Sequence, residues 1–238
     1  MESKPSLSIV LPCFNPPEGW AEQVVKSMDI IGRELTNEIN SLGLIIVNDG
    51  SNKNFTAEDQ NKIKAAVQEV EFVSYSENRG KGYALRQGVA KAHSDIIVYT
   101  DIDFPYEEKS VVAVARELLN GNEVVLGHRG KDYYENTPWF RKVVSKTLRW
   151  VLKTFLRLPT DDSQCGLKGY DQNGAKVFLD TKIDRFLFDL EFIKLAAKRK
   201  KKIGLVTVHL KPNIVFSKVN LKVLIREFGN FLRVLFRK

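Results

Sequence analysis

Five short apolar runs alternate with segments of helical periodicity across the first 130 residues, and few folds accommodate that pattern. The runs cover residues 7–11, 42–47, 71–75, 95–100 and 123–127. Between them, residues 20–35, 55–70, 83–92 and 110–119 carry apolar side chains three and four apart. In the first of these segments Trp20, Val24, Met28, Ile31 and Leu35 form the stripe. Strands joined through helices are crossover-connected, and crossovers make neighbouring strands parallel. The chain is therefore predicted to be α/β, with a mostly parallel central sheet flanked by helices on both faces.

In such a sheet the loops carry the chemistry. Parallel strands share a C-terminal edge, and ligands of open α/β sheets bind there. The runs end in Pro12-Cys13-Phe14-Asn15, Asn48-Asp49-Gly50-Ser51, Asn78-Arg79-Gly80-Lys81-Gly82 and Asp101-Ile102-Asp103. One such polar turn is unremarkable, whereas four on one edge suggest a nucleotide site. The carboxylate of Asp49 can accept the imide N–H of a uracil or a donor of guanine. Glycine turns let the backbone come close to a ligand. Lys81 offers a point charge for a diphosphate. Asp101 and Asp103 repel each other unless a cation lies between them, and a divalent ion carrying a phosphate fits that need. The phosphate loop of ATPases and the dinucleotide GxGxxG are both absent.

The second half is less regular. Residues 138–158 read as a long helix with a basic stripe of Lys146, Arg149, Lys153 and Arg157. A polar turn at 161–166 leads into 167–170, followed by a helix over 188–198 and a last strand over 203–210. Residues 221–238 have an apolar face from Leu221 to Phe236 opposite Lys222, Arg226, Arg233 and Arg237. That segment fits an interfacial membrane helix, or else a helix packed on the protein's own core. Residues 1–217 read as one domain and 218–238 as the C-terminal amphipathic helix.

Charge narrows the partners. The 238 residues carry a formal net charge of +8, concentrated in the second half, so an anionic partner is expected. No zinc-finger spacing, RNP-like pattern or recognition helix points to nucleic acid. Residues 1–6 are polar and do not open a signal peptide, and no apolar run is long enough to span a bilayer. Cys13 and Cys165 lie far apart without metal-ligand spacing and read as reduced thiols of a cytosolic protein.

Taken in order, the four turns resemble the motifs of the family 2 glycosyltransferases, inverting enzymes with the GT-A fold. Gly127-His128-Arg129, a basic helix with Arg141 and Ser145, Asp162-Ser163-Gln164-Cys165-Gly166 and Phe188-Asp189-Leu190-Glu191 are similar to the polyprenyl-phosphate branch, the dolichyl-phosphate glucose and mannose synthases. The resemblance covers about residues 6–215. It implies a donor site made by Pro12, Phe14, Asn15, Asp49, Gly50, Asn78, Lys81, Asp101 and Ile102. It implies Mg2+ or Mn2+ on Asp101 and Asp103. It places the lipid-phosphate acceptor near Arg129, Arg141, Ser145 and Gln164, with Asp101, Asp103, Arg129 and Asp162 as the catalytic set.

Three positions depart from the family pattern. Pro16 stands where an acid often follows the asparagine. Asn48 replaces the first acid of the usual Asp-Asp-Gly-Ser. Pro105 stands where a metal-binding glutamine can occur. His209 ends the expected last strand, where a late histidine completes the metal site in some GT-A enzymes, but a histidine satisfied within the surface or core is the reading favoured here.

The implied activity is transfer of a hexose, with inversion, from a nucleotide sugar of the UDP-glucose or GDP-mannose type to a polyprenyl or dolichyl phosphate. Such an enzyme would work at the cytoplasmic face of the membrane as a peripheral protein. A lipid phosphate is already anionic near neutral pH, its second pKa being about 6, and needs positioning more than a base. Two alternatives stay open. One is transfer to a carbohydrate hydroxyl of a surface glycan, for which Asp162 or Glu191 would be the base. The other is a nucleotide-sugar binding protein without transfer activity.

Overall fold

The structure is a computed structural model, and it describes residues 3–130, 158–160, 162–185 and 187–212. The basic helix at 138–158 lies outside the described residues, apart from Leu158. Arg141, Ser145 and the amphipathic segment 221–238 lie outside them entirely.

Among the described residues, seven strands form one sheet. They are β1 (Ser6–Cys13), β2 (Ser41–Asp49), β3 (Glu69–Tyr75), β4 (Ile96–Tyr99), β5 (Val124–Arg129), β6 (Lys168–Asp171) and β7 (Ile203–Val208). Their spatial order is β3-β2-β1-β4-β6-β5-β7. The pairs β1–β2, β1–β4, β2–β3 and β5–β7 are parallel, whereas β6 runs antiparallel to both β4 and β5. The mostly parallel α/β sheet expected from the sequence is present. The one reversed strand, inserted between β4 and β5, is the feature the apolar runs did not foretell.

Among the described residues, six helices cover the two faces. They are α1 (Trp20–Leu35), α2 (Ala57–Ala66), α3 (Lys81–Lys91), α4 (Glu108–Leu119), α5 (Gln172–Leu179) and α6 (Phe188–Lys198). Alternate residues of one strand serve opposite faces, so a central strand is apolar throughout. Ile9 and Leu11 face a core shared with α1 and α4, while Val10 faces the core under α3, α5 and α6. Helix α3 lies close against β1 and β2 because Gly88 has no side chain. A methyl there would come within 2.5 Å of Val10 Cγ1.

Helix α2 is shorter than its periodicity suggested. Thr56 and Asp59 form a capping box at its start, and it stops at Ala66, so Val70 belongs to β3. The topology gathers the loops. The C-terminal ends of β1 to β5 and β7, together with the start of the reversed β6, all lie on one edge of the sheet.

Candidate active site

Three of the polar turns build one another. Asn15, at φ 47, sits just past β1 and accepts the backbone N–H groups of Asn52 (2.9 Å) and Lys53 (3.1 Å). Its own N–H donates to Ser51 Oγ at 2.9 Å, and Asn48 Oδ1 accepts from Ser51 N at 2.9 Å. Asn48, the departure from the usual acid, thus organises the turn. Beyond β2, the buried Asp49 carboxylate accepts from Asn78 Nδ2 (2.9 Å), Arg79 N (2.8 Å) and Gly80 N (2.9 Å). Three of the roughly four acceptor positions of a carboxylate are thereby filled from inside the protein. Asp49 holds the Asn78–Gly80 turn in shape, which leaves little of its carboxylate to read a base.

The glycines of these turns serve packing as well. Gly50, at φ +71, lies against the 76–78 turn, where a methyl would approach Asn78 N and Glu77 C at 2.7 Å. At Gly80 a methyl would come within 2.6 Å of the Asp184 carbonyl oxygen, and at Gly82 within 2.5 Å of that of Ile183. Asp184 O accepts from Gly82 N (2.7 Å) and Tyr83 N (3.2 Å), so it caps the start of α3. Arg86 reaches across to Asp184, Thr181 Oγ1 and Ile183 O and ties the same segment down. The close approach these glycines permit is therefore between two protein segments.

Past β4, Phe104 adopts φ 44 and the chain turns sharply after Asp103. Ile102 is buried in the core, while Asp101 and Asp103 remain accessible. Lys81 donates to Asp101. Burial works against the Lys81 ammonium, yet the carboxylates of Asp101, Asp189 and Asp103 outweigh it and raise its pKa. The Asp103 carboxyl is pushed up by partial dehydration and by the neighbouring Asp101 charge.

Two acids that repel each other at the mouth of a sheet suit a divalent cation, and the donor set is all oxygen, as Mg2+ or Mn2+ prefers. Among the described residues no group of three or more His, Cys, Asp or Glu side chains could hold a metal. Two protein carboxylates would therefore be completed by diphosphate oxygens and water. His209 is held through its backbone, with its N–H on Ser110 Oγ (3.0 Å) and its carbonyl accepting from Glu107 N (2.9 Å).

The other side of the site comes from β5 and the 162–167 loop. Asp162 is almost fully buried and takes a bidentate bond from Arg129, Nε at 2.8 Å and Nη2 at 2.5 Å, plus Arg129 N at 2.9 Å. Glu191, on the first turn of α6, accepts from Lys182 N and Ile183 N, both at 2.8 Å. Gly166 packs against the first acid of the Asp-x-Asp pair, where a methyl would meet Asp101 Oδ2 at 2.8 Å and Lys81 Nζ at 3.4 Å. Tyr106 Oη accepts from Gly166 N at 3.0 Å and joins the loop to the segment after Asp103. Within the loop, Ser163 Oγ and Gln164 Nε2 are buried without a protein partner.

The structure thus brings Asn15, Asp49, Gly50, Asn78, Lys81, Asp101, Asp103, Arg129, Asp162 and Gln164 to one edge. Pro12 and Phe14 stand beside them at the end of β1, with Phe14 49% exposed. The sequence assigned no role to Tyr106, Tyr99 or Lys168, and it marked Asp189 only as part of the 188–191 motif, not as the buried partner of Lys168. No signal in the sequence marks Lys168, because its short strand has no apolar run; only the structure shows it buried and paired, as a buried lysine must be.

Comparison with known proteins fits this arrangement. The family model described as "Glycosyl transferase family 2" matches residues 8–183, most of the chain. The chain belongs to glycosyl transferase family 2. Among its relatives is a dolichyl-phosphate beta-glucosyltransferase of Drosophila melanogaster, 25% identical over 222 residues that cover 87% of this chain and 68% of the relative. A Homo sapiens protein of the same name is 24% identical over 216 residues, 85% of this chain and 66% of the relative. A glucosyl-3-phosphoglycerate synthase of Mycobacterium tuberculosis, solved with Mn2+, UDP and glucosyl-3-phosphoglycerate, shares the fold. Its TM-score is 0.63 at 18% identity, covering 97% of this chain and 78% of that one. The fold is that of the GT-A glycosyltransferases, and the protein is a glycosyltransferase of this family.

Proposed function

We propose that this family 2 enzyme moves a hexose, with inversion, from a nucleoside-diphosphate sugar to a polyprenyl phosphate. One observation carries the choice of acceptor: the two acids that could serve as a general base are both committed. Asp162 is the buried partner of Arg129, and Glu191 caps the 182–183 backbone. A sugar hydroxyl would need such a base, whereas a phosphate monoester arrives already anionic and asks for positive groups that orient it. The dolichyl-phosphate glucosyltransferase relatives support the same acceptor class.

In this reading Asp101 and Asp103 hold Mg2+ or Mn2+, whose charge would stabilise the departing diphosphate. Lys81 sits on Asp101 and adds a second positive group on the same side. Phe14, Pro12 and the turns around Asp49 and Asn78 form the nucleoside side. Arg129 and Gln164, with Arg141 and Ser145 outside the described residues, form the acceptor side. Peripheral contact with the cytoplasmic face of a membrane belongs to the same proposal, since the acceptor is a lipid. No helix among the described residues is long and apolar enough to cross a membrane.

The test is a matrix of donors and acceptors. The purified protein is incubated with UDP- and GDP-hexoses, Mn2+ or Mg2+, and either a polyprenyl phosphate or saccharides. The expected product is a lipid-extractable sugar phosphate whose formation stops with chelator. Turnover on saccharides with none on lipid phosphate would overturn the proposal.

A further inference from the structure

The loop that faces Asp101 is held from beneath by a buried cation. Lys168 pairs with Tyr99 across β4 and β6, and its side chain is 0% exposed. Its Nζ lies 5.9 Å from the ring centroid of Tyr99, which packs in the aromatic core under α5 and α6. The ammonium has three N–H groups, and the structure supplies three acceptors. Ser163 O lies at 3.2 Å, Asp189 Oδ1 at 2.9 Å, and Cys165 O is in direct hydrogen-bond contact. Asp189 also accepts from Tyr99 Oη.

The two carbonyls matter most, because they flank Gln164. Fixing both sets the turn that carries the unpartnered Ser163 Oγ and Gln164 Nε2, and it presses Gly166 against Asp101 and Lys81. A charge is costly to bury, and an apolar residue would fill this aromatic pocket more cheaply if packing were its whole purpose. We infer that Lys168 is a positioning residue: through the Ser163 and Cys165 carbonyls it sets the register of the 163–166 loop against the Lys81–Asp101 pair, and so the placement of the acceptor relative to the donor. The inference rests on the proposed transfer reaction for its catalytic consequence, and on the hydrogen bonds alone for its structural one.

Two variants separate positioning from plain stability. Lys168→Met leaves Asp189 buried without its cation and should unfold more easily. The double variant Lys168→Met/Asp189→Asn removes both charges, and neutralised buried pairs are commonly tolerated. The double variant is expected to recover thermal stability over the single one. Its kcat is expected to stay down by about 100-fold, the scale of a 1 Å misplacement. Its calorimetric affinity for UDP with Mn2+ should stay within about twofold of the parent, because the nucleoside turns lie on other strands. Amide hydrogen exchange at 163–167 should accelerate in the double variant while that at 78–82 does not change.

Recovery of kcat along with stability, or unchanged exchange at 163–167, would overturn the inference. So would a proportional fall in UDP affinity and kcat. Should the parent act on a saccharide and not on a lipid phosphate, the acceptor proposal falls. The same comparison, run with that saccharide, then still decides the role of Lys168.

Discussion

Asp103 shows what an accessible pair of neighbouring acids costs its own protein. Partial dehydration and the Asp101 charge both push its carboxyl pKa up, so ionised Asp103 is an unfavourable group that a cation would relieve. Asp103→Asn should abolish the rise in melting temperature that UDP-hexose with Mn2+ gives the parent. For the parent that rise reflects about 2.7 kcal/mol at ligand concentrations 100-fold above Kd. A thermal-shift titration with and without Mn2+ reads it directly. Glu108 illustrates the opposite case. Burial pushes its carboxyl up, but hydrogen bonds from Lys211 (2.6 Å) and Ser27 (2.6 Å) prevail and hold it below the usual carboxylate range. A depressed folded-state pKa gives stability that is present above the unfolded value, about 4.3 for Glu, and is lost as pH falls through the folded value. Glu108→Gln should therefore cost roughly 1–3 kcal/mol at pH 7. The difference from the parent should shrink as urea unfolding is repeated below about pH 4; a gap that stays constant with pH would contradict the ionic account.

Two glycines, each in a helix, make opposite predictions. In α1, a methyl at Gly32 would meet only Leu42 Cδ2, at an ordinary 3.5 Å. Gly32→Ala should stabilise by about 0.5–1 kcal/mol, through a less mobile unfolded chain and better helix propensity. In α3, a methyl at Gly82 would strike Ile183 O at 2.5 Å and Phe188 Cβ at 2.7 Å, both close against the helix start. Gly82→Ala should destabilise by about 1–3 kcal/mol and weaken nucleotide binding with it; chemical denaturation and UDP calorimetry on the pair decide both. The contrast explains what the sequence could reveal about the elements. Periodicity located α1, α4 and α6 well, because each carries a clear apolar stripe. It missed α5, a helix of 8 residues, and it ran α2 into β3, because the capping box at Thr56 marks a start and nothing as clear marks the end. Strand β6 was illegible for a different reason. Its residues Lys-Gly-Tyr-Asp form no apolar run, and the burial of Lys168 depends on Asp189 and on two loop carbonyls distant in sequence or hidden in the backbone.

At the scale of the whole molecule, one sheet edge does the gathering. Parallel strands with crossover helices send the ends of β1, β2, β3 and β4 to that edge, and this was legible from the order of apolar runs and polar turns. The sharing of labour inside the site was not legible. Asp49, Asn15 and Gly50 look like ligand contacts in sequence, yet their bonds and close approaches in the structure are to neighbouring turns. Hydrogen bonds to backbone groups 30 or more residues away leave no mark in residue spacing. The same is true of the bond that commits Asp162 to Arg129, and the last prediction follows from it. If neither Asp162 nor Glu191 removes a proton, the pH dependence of transfer belongs to the acceptor. A phosphate monoester loses its second proton near pH 6, so kcat/KM for the lipid phosphate should rise with unit slope below about pH 6 and level off above it. Replacing the phosphate acceptor by its methylene phosphonate analogue, in which CH2 takes the place of the ester oxygen and the second pKa is higher, should move the bend upward by the same interval as the change in acceptor pKa. A protein carboxylate acting as base would instead keep the bend where it was, whichever acceptor is used.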